Sequence, residues 1–252
     1  MAIWAIADLH LSFGVEGKKM DVFGEKWVDH ASKIEKNWKA LISPDDLVLI
    51  AGDISWALHL EDALADLQWI DALAGTKVII KGNHDLWWKS ESKIKKVLPP
   101  SIHLIHNNAF LWNKIAIGGA RLWENRLISY NPYIEFREVV GVNVHKKEDS
   151  EEERLHDEKV FKNELTRLES SLKAMDPSAD QRIVMVHYPP TGPIQRDSDV
   201  MALLSKYKTD ICLFGHLHNL KPDAPVNFTH NGIRVLCTAC DYLDFRPIPI
   251  EF

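Results

Sequence analysis

Five short motifs carry the residue types that bind metal ions and move protons. They are Asp8-Leu9-His10, Gly52-Asp53, Gly82-Asn83-His84-Asp85, His187-Tyr188-Pro189 and Gly215-His216-Leu217-His218. Each stands where an apolar run gives way to a polar turn, and open α/β sheets bind ligands beyond the carboxyl ends of their strands. Asp8 and His10 are two apart, so extended backbone would turn both side chains to one side, and His216 with His218 repeats the spacing. The glycines ahead of Asp53, Asn83 and His216 allow tight turns and close backbone approach. Carboxylate oxygen, neutral amide oxygen and imidazole nitrogen together suit Mn, Fe, Zn or Ni better than Ca or Mg, which prefer all-oxygen shells. Alone, each fragment is more often a capped turn or a hydrogen-bonded core histidine. Together, in one strand-end context, they point to a metal site.

The elements that must hold these motifs alternate through the first half of the chain. Residues 2–7 read as a buried strand, and 26–42 as a helix with Trp27, Ala31, Ile34, Trp38 and Leu41 on one face. Residues 47–51 are a second strand, 60–73 a second helix and 77–81 a third strand. That alternation predicts a largely parallel sheet with right-handed crossovers. Residues 102–105, 109–112 and 114–118 lie so close together that antiparallel strands are expected. Residues 121–147 lack a clean period and read as a functional loop or lid. Residues 149–175 read as the longest helix, with Phe161, Leu165, Leu168, Leu172 and Met175 as its seam and the acidic run 148–153 as its solvated start. Strands at 182–186 and 210–214 follow, then a hairpin of 226–229 with 233–237 around Asn231-Gly232. With no linker or repeat, residues 1–252 read as a single domain, with a possible lid or insertion at about 120–175.

In order and content, from Asp8 to His218, the five motifs resemble those of the calcineurin-like metallophosphoesterase superfamily. The resemblance implies an α/β fold with a two-sheet β-sandwich core flanked by helices, which moves the parallel-sheet reading toward a mixed one. It also implies a dinuclear centre of divalent or trivalent transition-metal ions. Asp8, His10, Asp53 and His218 would hold one ion, and Asp53, Asn83, His187 and His216 the other, with Asp53 bridging. A metal-bridging hydroxide would attack phosphorus in line. His84 would be the catalytic histidine, as general acid or phosphoryl stabiliser, and Asp85 is a candidate to orient its ring. The second motif continues Ile54-Ser55-Trp56-Ala57-Leu58, without the Asp-Arg-Gly extension of the protein Ser/Thr phosphatases. That departure favours the bacterial-type phosphohydrolase and phosphodiesterase branch, and a small phosphodiester or phosphomonoester over a phosphoprotein.

Composition bounds the alternatives. A hydrophobic share of 46% in 252 residues supports a sizeable core, and a formal net charge of −6 weighs against a broad basic surface for nucleic acid. A nuclease is therefore a secondary reading. A non-catalytic scaffold of the same fold is another, against which every ligand position is filled. Cys212, Cys237 and Cys240 form no disulfide framework, and the Cys237-x-x-Cys240 spacing reads as buried thiols. No apolar run approaches membrane-spanning length and the start lacks a signal-peptide pattern, so a soluble cytoplasmic protein is expected, with no membrane partner. Arg121, Trp123 and Arg126 are candidate substrate contacts, gripping phosphate and stacking on a base or sugar. The alternative for them is core packing and pairing with nearby carboxylates. Trp87 and Trp88 either line the site or pack against the next helix. The sequence specifies no oligomeric state.

Overall fold

Runs that are apolar at every position become strands buried on both faces. In a computed structural model describing residues 1–135 and 150–252, the first half forms β1 (Ile3–Ile6), α1 (His30–Leu41), β2 (Leu47–Ile50), α2 (Leu60–Ala72), β3 (Thr76–Ile79), α3 (Glu91–Ile94), β4 (Ile102–Leu104), β5 (Phe110–Trp112) and β6 (Ile115–Ala120). The second half forms α4 (Glu151–Lys173), β7 (Gln181–Val186), α5 (Asp199–Lys206), β8 (Ile211–Phe214), β9 (Phe228–His230), β10 (Ile233–Cys237) and β11 (Ile248–Pro249). One sheet runs β11-β1-β2-β3-β4 and the other β5-β6-β7-β8-β10-β9. The inner strands of each are parallel, with antiparallel partners at β11, β5 and β9.

Alternation along the strands divides the core into three layers. Leu47, Leu49, Val78 and Ile80 of the first sheet meet Ile117, Ile183, Met185 and Leu213 of the second. Val48, Ile50 and Ile79 face the opposite way, onto Ile34 and Trp38 of α1 and Leu67 and Ile70 of α2. Val184, Val186, Cys212 and Phe214 face outward onto Leu168 and Leu172 of α4 and Val200, Met201 and Leu204 of α5. This is the two-sheet sandwich flanked by helices that the resemblance implied.

Two expectations need correction. The segment at 102–105 is not part of an antiparallel meander, because β4 pairs in parallel with β3 as the edge of the first sheet. Only β5 and β6 form the hairpin, turning at Asn113 and Lys114, both with positive φ (44° and 66°). The helix expected from residue 26 begins at His30, because Asp29 takes a left-handed φ of 53° and Trp27 sits in a preceding 3-10 turn. The helix at 151–173 starts as its sequence requires, Ser150 Oγ accepting the Glu153 backbone N–H with three glutamates in the first turn. Residues 136–147 of the anticipated lid lie outside the described residues. Among the described residues, no helix is long and apolar enough to cross a membrane.

Candidate metal centre

All five motifs leave the carboxyl ends of parallel strands: Asp8 and His10 follow β1, Asp53 β2, Asn83 and His84 β3, His187 β7, and His216 and His218 β8. The two sheets are stitched at this end. Ala7 N–H donates to Thr238 carbonyl at 2.7 Å, and the His216 N–H donates to the Asp8 carboxylate at 3.0 Å. The extended backbone expected for Asp8, His10 and His216 is not what brings the ligands together. Asp8, His10, Asp53 and His216 all have left-handed φ, at 59°, 45°, 52° and 71°. Such residues are uncommon and cost about 1–3 kcal/mol each, and they cluster where function demands a turn. Three glycines make the close approach possible, and a Cβ on one of them, Gly82, would collide with the Asp53 carboxylate. Gly52 has φ 95°, and a Cβ there would stand 2.6 Å from His187 Nδ1, while a Cβ on Gly215 would collide with the Asp8 carboxylate.

The side chains converge. Asp53 Oδ2 lies 3.7 Å from His10 Nε2 and 3.4 Å from His187 Nε2. His218 Nε2 is 3.1 Å from His10 Nε2 and 3.8 Å from Asp8 Oδ1. Asn83 Oδ1 is 2.7 Å from His187 Nε2 and 2.9 Å from His216 Nδ1. Among the described residues, two sets of carboxylates and imidazoles bring their ligand atoms within 4.8 Å of one another: Asp8, His10 and His218, and Asp8, Asp53 and His187. The first matches the partition that the resemblance implied, whereas the second joins Asp8 to His187, Asp8 Oδ1 being 4.0 Å from His187 Nδ1.

The donor chemistry fits metal ions. His187 Nδ1 donates to the Ala51 carbonyl at 3.0 Å and His218 Nδ1 to Asp241 Oδ1 at 2.8 Å. Each outer bond fixes the tautomer and leaves Nε2 a bare lone pair turned inward. The His187 lone pair then faces the Asn83 amide at 2.7 Å, a pair that a shared cation satisfies with the amide oxygen turned inward. His10 Nδ1 is buried without a hydrogen-bond partner among the described residues.

Electrostatics express the same demand for positive charge. Burial disfavours the imidazolium of His187, but the carboxylates of Asp53 and Asp8 outweigh it and push the pKa up to about 9. Burial likewise opposes charge on His218, where Asp241, then Asp8 and Asp53, raise the value to about 9. Burial and the Asp53 charge push Asp8 up to about 7, while the surrounding histidines overcome burial and hold Asp53 well below the usual carboxylate range. Burial lowers His10 and takes His216 down to about 3. His84 is lowered by burial against the pull of Asp53. Its ring packs on Trp56 at 4.2 Å and stands outside both ligand sets, its backbone N–H donating to Asp53 Oδ1 at 2.8 Å.

Asp85 has a different position from the one anticipated. Instead of meeting the His84 ring, its carboxylate is buried and accepts N–H bonds from Ile54, Ser55, Gly82 and the Trp87 indole at 2.7–3.0 Å, tying the second motif to the third. Trp87 and Trp88 are both buried in the core. Arg121 holds the centre through its backbone, its carbonyl accepting from His187 and Tyr188 N–H. Its guanidinium pairs with Glu164 at 3.1 Å and lies over the Trp123 ring, in a different cavity. Trp123 and Arg126 both bond to Asp157, at 3.1 and 3.2 Å, and line a cavity of about 350 Å³ that reaches Tyr188 and His216. The three cysteines are free and buried, and Cys240 Sγ donates to the Asp8 carbonyl.

Sequence reasoning missed Asp241, which also accepts Asn219 N–H at 2.9 Å, and the walls formed by Trp56 and Trp27. Trp56 stacks on His10 at 5.1 Å and Trp27 stands edge-on to His218 at 5.4 Å. The available signal for Asp241 was its place just beyond β10, a parallel strand ending at the same edge.

Comparison with known proteins follows the same lines. The family model described as calcineurin-like phosphoesterase matches residues 1–220. The Gene 66 protein of Mycobacterium phage L5 is 31% identical over 84 residues, a stretch covering 32% of this chain and 39% of that protein. The crystal structure of phosphopantetheinyl hydrolase (PptH) from Mycobacterium tuberculosis aligns over 98% of this chain and 95% of its own, at 14% identity and TM-score 0.54. A protein of unknown function from Aquifex aeolicus, AQ665, aligns over 98% and 95% at 15% identity and TM-score 0.48.

Proposed function

The chain belongs to the calcineurin-like phosphoesterase family, and from that premise we propose that it hydrolyses a small phosphoester with two transition-metal ions held by Asp8, His10, Asp53, Asn83, His187, His216 and His218. The observation that carries the proposal is Asp53 Oδ2, 3.7 Å from one inward histidine nitrogen and 3.4 Å from another, where a shared carboxylate would serve both ions. Bound there, two ions would lower the pKa of water and neutralise charge on the phosphoryl oxygens.

The remaining work falls to the chain's own groups. Asp241 and the Ala51 carbonyl orient His218 and His187, and Trp56 and Trp27 exclude water from the His10 side. His84, whose pKa burial lowers against the pull of Asp53, would present a ring N–H to a phosphoryl oxygen. The Trp123 and Tyr188 rings beside His216 would receive the apolar part of a substrate. The small-molecule class is supported by the net charge of −6, which weighs against a nucleic-acid track, and by the missing Asp-Arg-Gly extension.

The experiment is a panel of phosphomonoesters, phosphodiesters, cyclic nucleotides and nucleotide sugars assayed with Mn²⁺ and again after chelation. Turnover of at least one class with Mn²⁺, abolished by chelator and restored by metal, is the expected result. A chain that takes up metal yet turns over none of them favours the scaffold reading.

A further inference from the structure

The carboxyl end of the sandwich holds a second cavity, at the β4 edge. Its volume is about 200 Å³, and its walls are residues just beyond β3, β4 and β6 together with α4. Four cationic side chains line it, Lys81, Lys89, Arg121 and Arg167, against one carboxylate, Glu164. That carboxylate is already shared, one oxygen lying 3.1 Å from Arg121 Nη2 and 3.6 Å from Arg167 Nε. Four cations less one anion leaves three positive charges in one recess of a chain whose formal net charge is −6.

Three of the four cationic groups are held in place, Arg121 by Glu164. Lys81 Nζ donates to the Trp88 carbonyl at 2.9 Å, and Arg167 Nη1 donates to His106 Nε2 at 3.1 Å. Like charges crowded around a single counter-charge are unfavourable. A tetrahedral oxyanion offsets that excess, since guanidinium and ammonium groups present donors to its oxygens. The space exceeds the roughly 30 Å³ that a water molecule takes in the liquid several times over, so an anion fits with part of its hydration.

We propose that this cavity is an oxyanion site, separate from the metal centre, that takes a phosphoryl group. It does not depend on the chain being a hydrolase. Its ligand could be inorganic phosphate or a second phosphoryl group on a substrate, and the chemistry of recognition is the same.

The full chain loaded with Mn²⁺ is crystallised and soaked in selenate, which selenium's anomalous scattering locates. A peak inside the cavity, within hydrogen-bond reach of at least two of Lys81, Lys89, Arg121 and Arg167, is expected, whatever binds at the ions. In solution, radiolabelled phosphate binding should contain one component that Arg167→Met weakens by at least about tenfold. Lys89→Met, at an exposed position, should weaken the same component, and Lys36→Met on the outer face of α1 should not. Asp53→Asn, aimed at the metal centre, should leave that component in place, so its failure is distinct from failure of the hydrolase reading. An empty cavity in the soaked crystal, or phosphate binding unchanged in both Arg167→Met and Lys89→Met, overturns the proposal. The source separates kinetically: a KM raised for bisphosphates but not monophosphates marks a substrate group, and a lost response of turnover to added phosphate marks the free ion.

Discussion

Replacing Asp241 by Asn tests whether the outer contacts of the histidines set metal affinity. Asp241 accepts two bonds, from His218 Nδ1 at 2.8 Å and from Asn219 N–H at 2.9 Å, and its side chain is nearly fully buried. An amide has one oxygen where the carboxylate has two, so either His218 or Asn219 must face an NH₂ group. The negative charge that raises the basicity of His218 is lost as well. Outer-shell changes of this kind typically weaken metal binding about 10- to 100-fold, or about 1.4–2.7 kcal/mol. The assay is competition for Mn²⁺ or Zn²⁺ against a chromogenic chelator, with circular dichroism to check the fold. Asp197→Asn is the control, because Asp197 makes the same kind of bond to a histidine, His230 at 2.8 Å, on the exposed surface. Affinity unchanged in Asp241→Asn, or lowered equally in Asp197→Asn, would refute the reasoning.

Three further outcomes follow from the same contacts. His84→Ala should lower turnover about 10²- to 10⁴-fold while metal content stays near that of the wild type; full activity across the pH range would remove His84 from the mechanism. Asp85→Ala strips acceptors from four buried N–H groups and should cost at least about 3 kcal/mol in urea unfolding, whereas a role confined to orienting His84 would leave stability near wild type. Asp66 is buried beneath Ser55 and Phe13, and burial pushes it up to about 6. Its folded value lies above the unfolded one, so its stabilising contribution is full below about pH 4 and is lost as pH rises through about 6. Asp66→Asn should therefore gain on the wild type by about 2–3 kcal/mol between pH 4 and pH 8, and a pH-independent difference would contradict the assignment.

Much of the centre was legible because its residue types are rare together. Asp, His and Asn at successive strand ends have few other uses, and the fold gathers all seven. The reason given for their convergence was wrong, since left-handed turns at Asp8, His10 and His216 replace extended backbone. The glycine reading was sound at Gly52, Gly82 and Gly215, where a Cβ would strike His187, Asp53 or Asp8. Asp241 left only the weak signal of its place beyond a strand, because it lies 23 residues from the histidine it orients, in a Cys-Thr-Ala-Cys-Asp run that resembles no ligand motif. The direction of β4 was equally hidden. A three-residue apolar strand carries no mark of its partner, and β3 claims it only through tertiary packing. Arg121 shows a further gap, in that its backbone supports the metal loops while its guanidinium serves another cavity.

The central claim is a dinuclear centre that shares Asp53, and metal stoichiometry addresses it most directly. The chain is loaded with Mn²⁺, freed of excess ion and measured for metal per protein by mass spectrometry, alongside Asp53→Asn and His218→Ala. About two ions per wild-type chain are predicted, with His218→Ala keeping about one and Asp53→Asn fewer than one. A wild-type chain that never exceeds one ion, or an Asp53→Asn variant that still holds two, would contradict it.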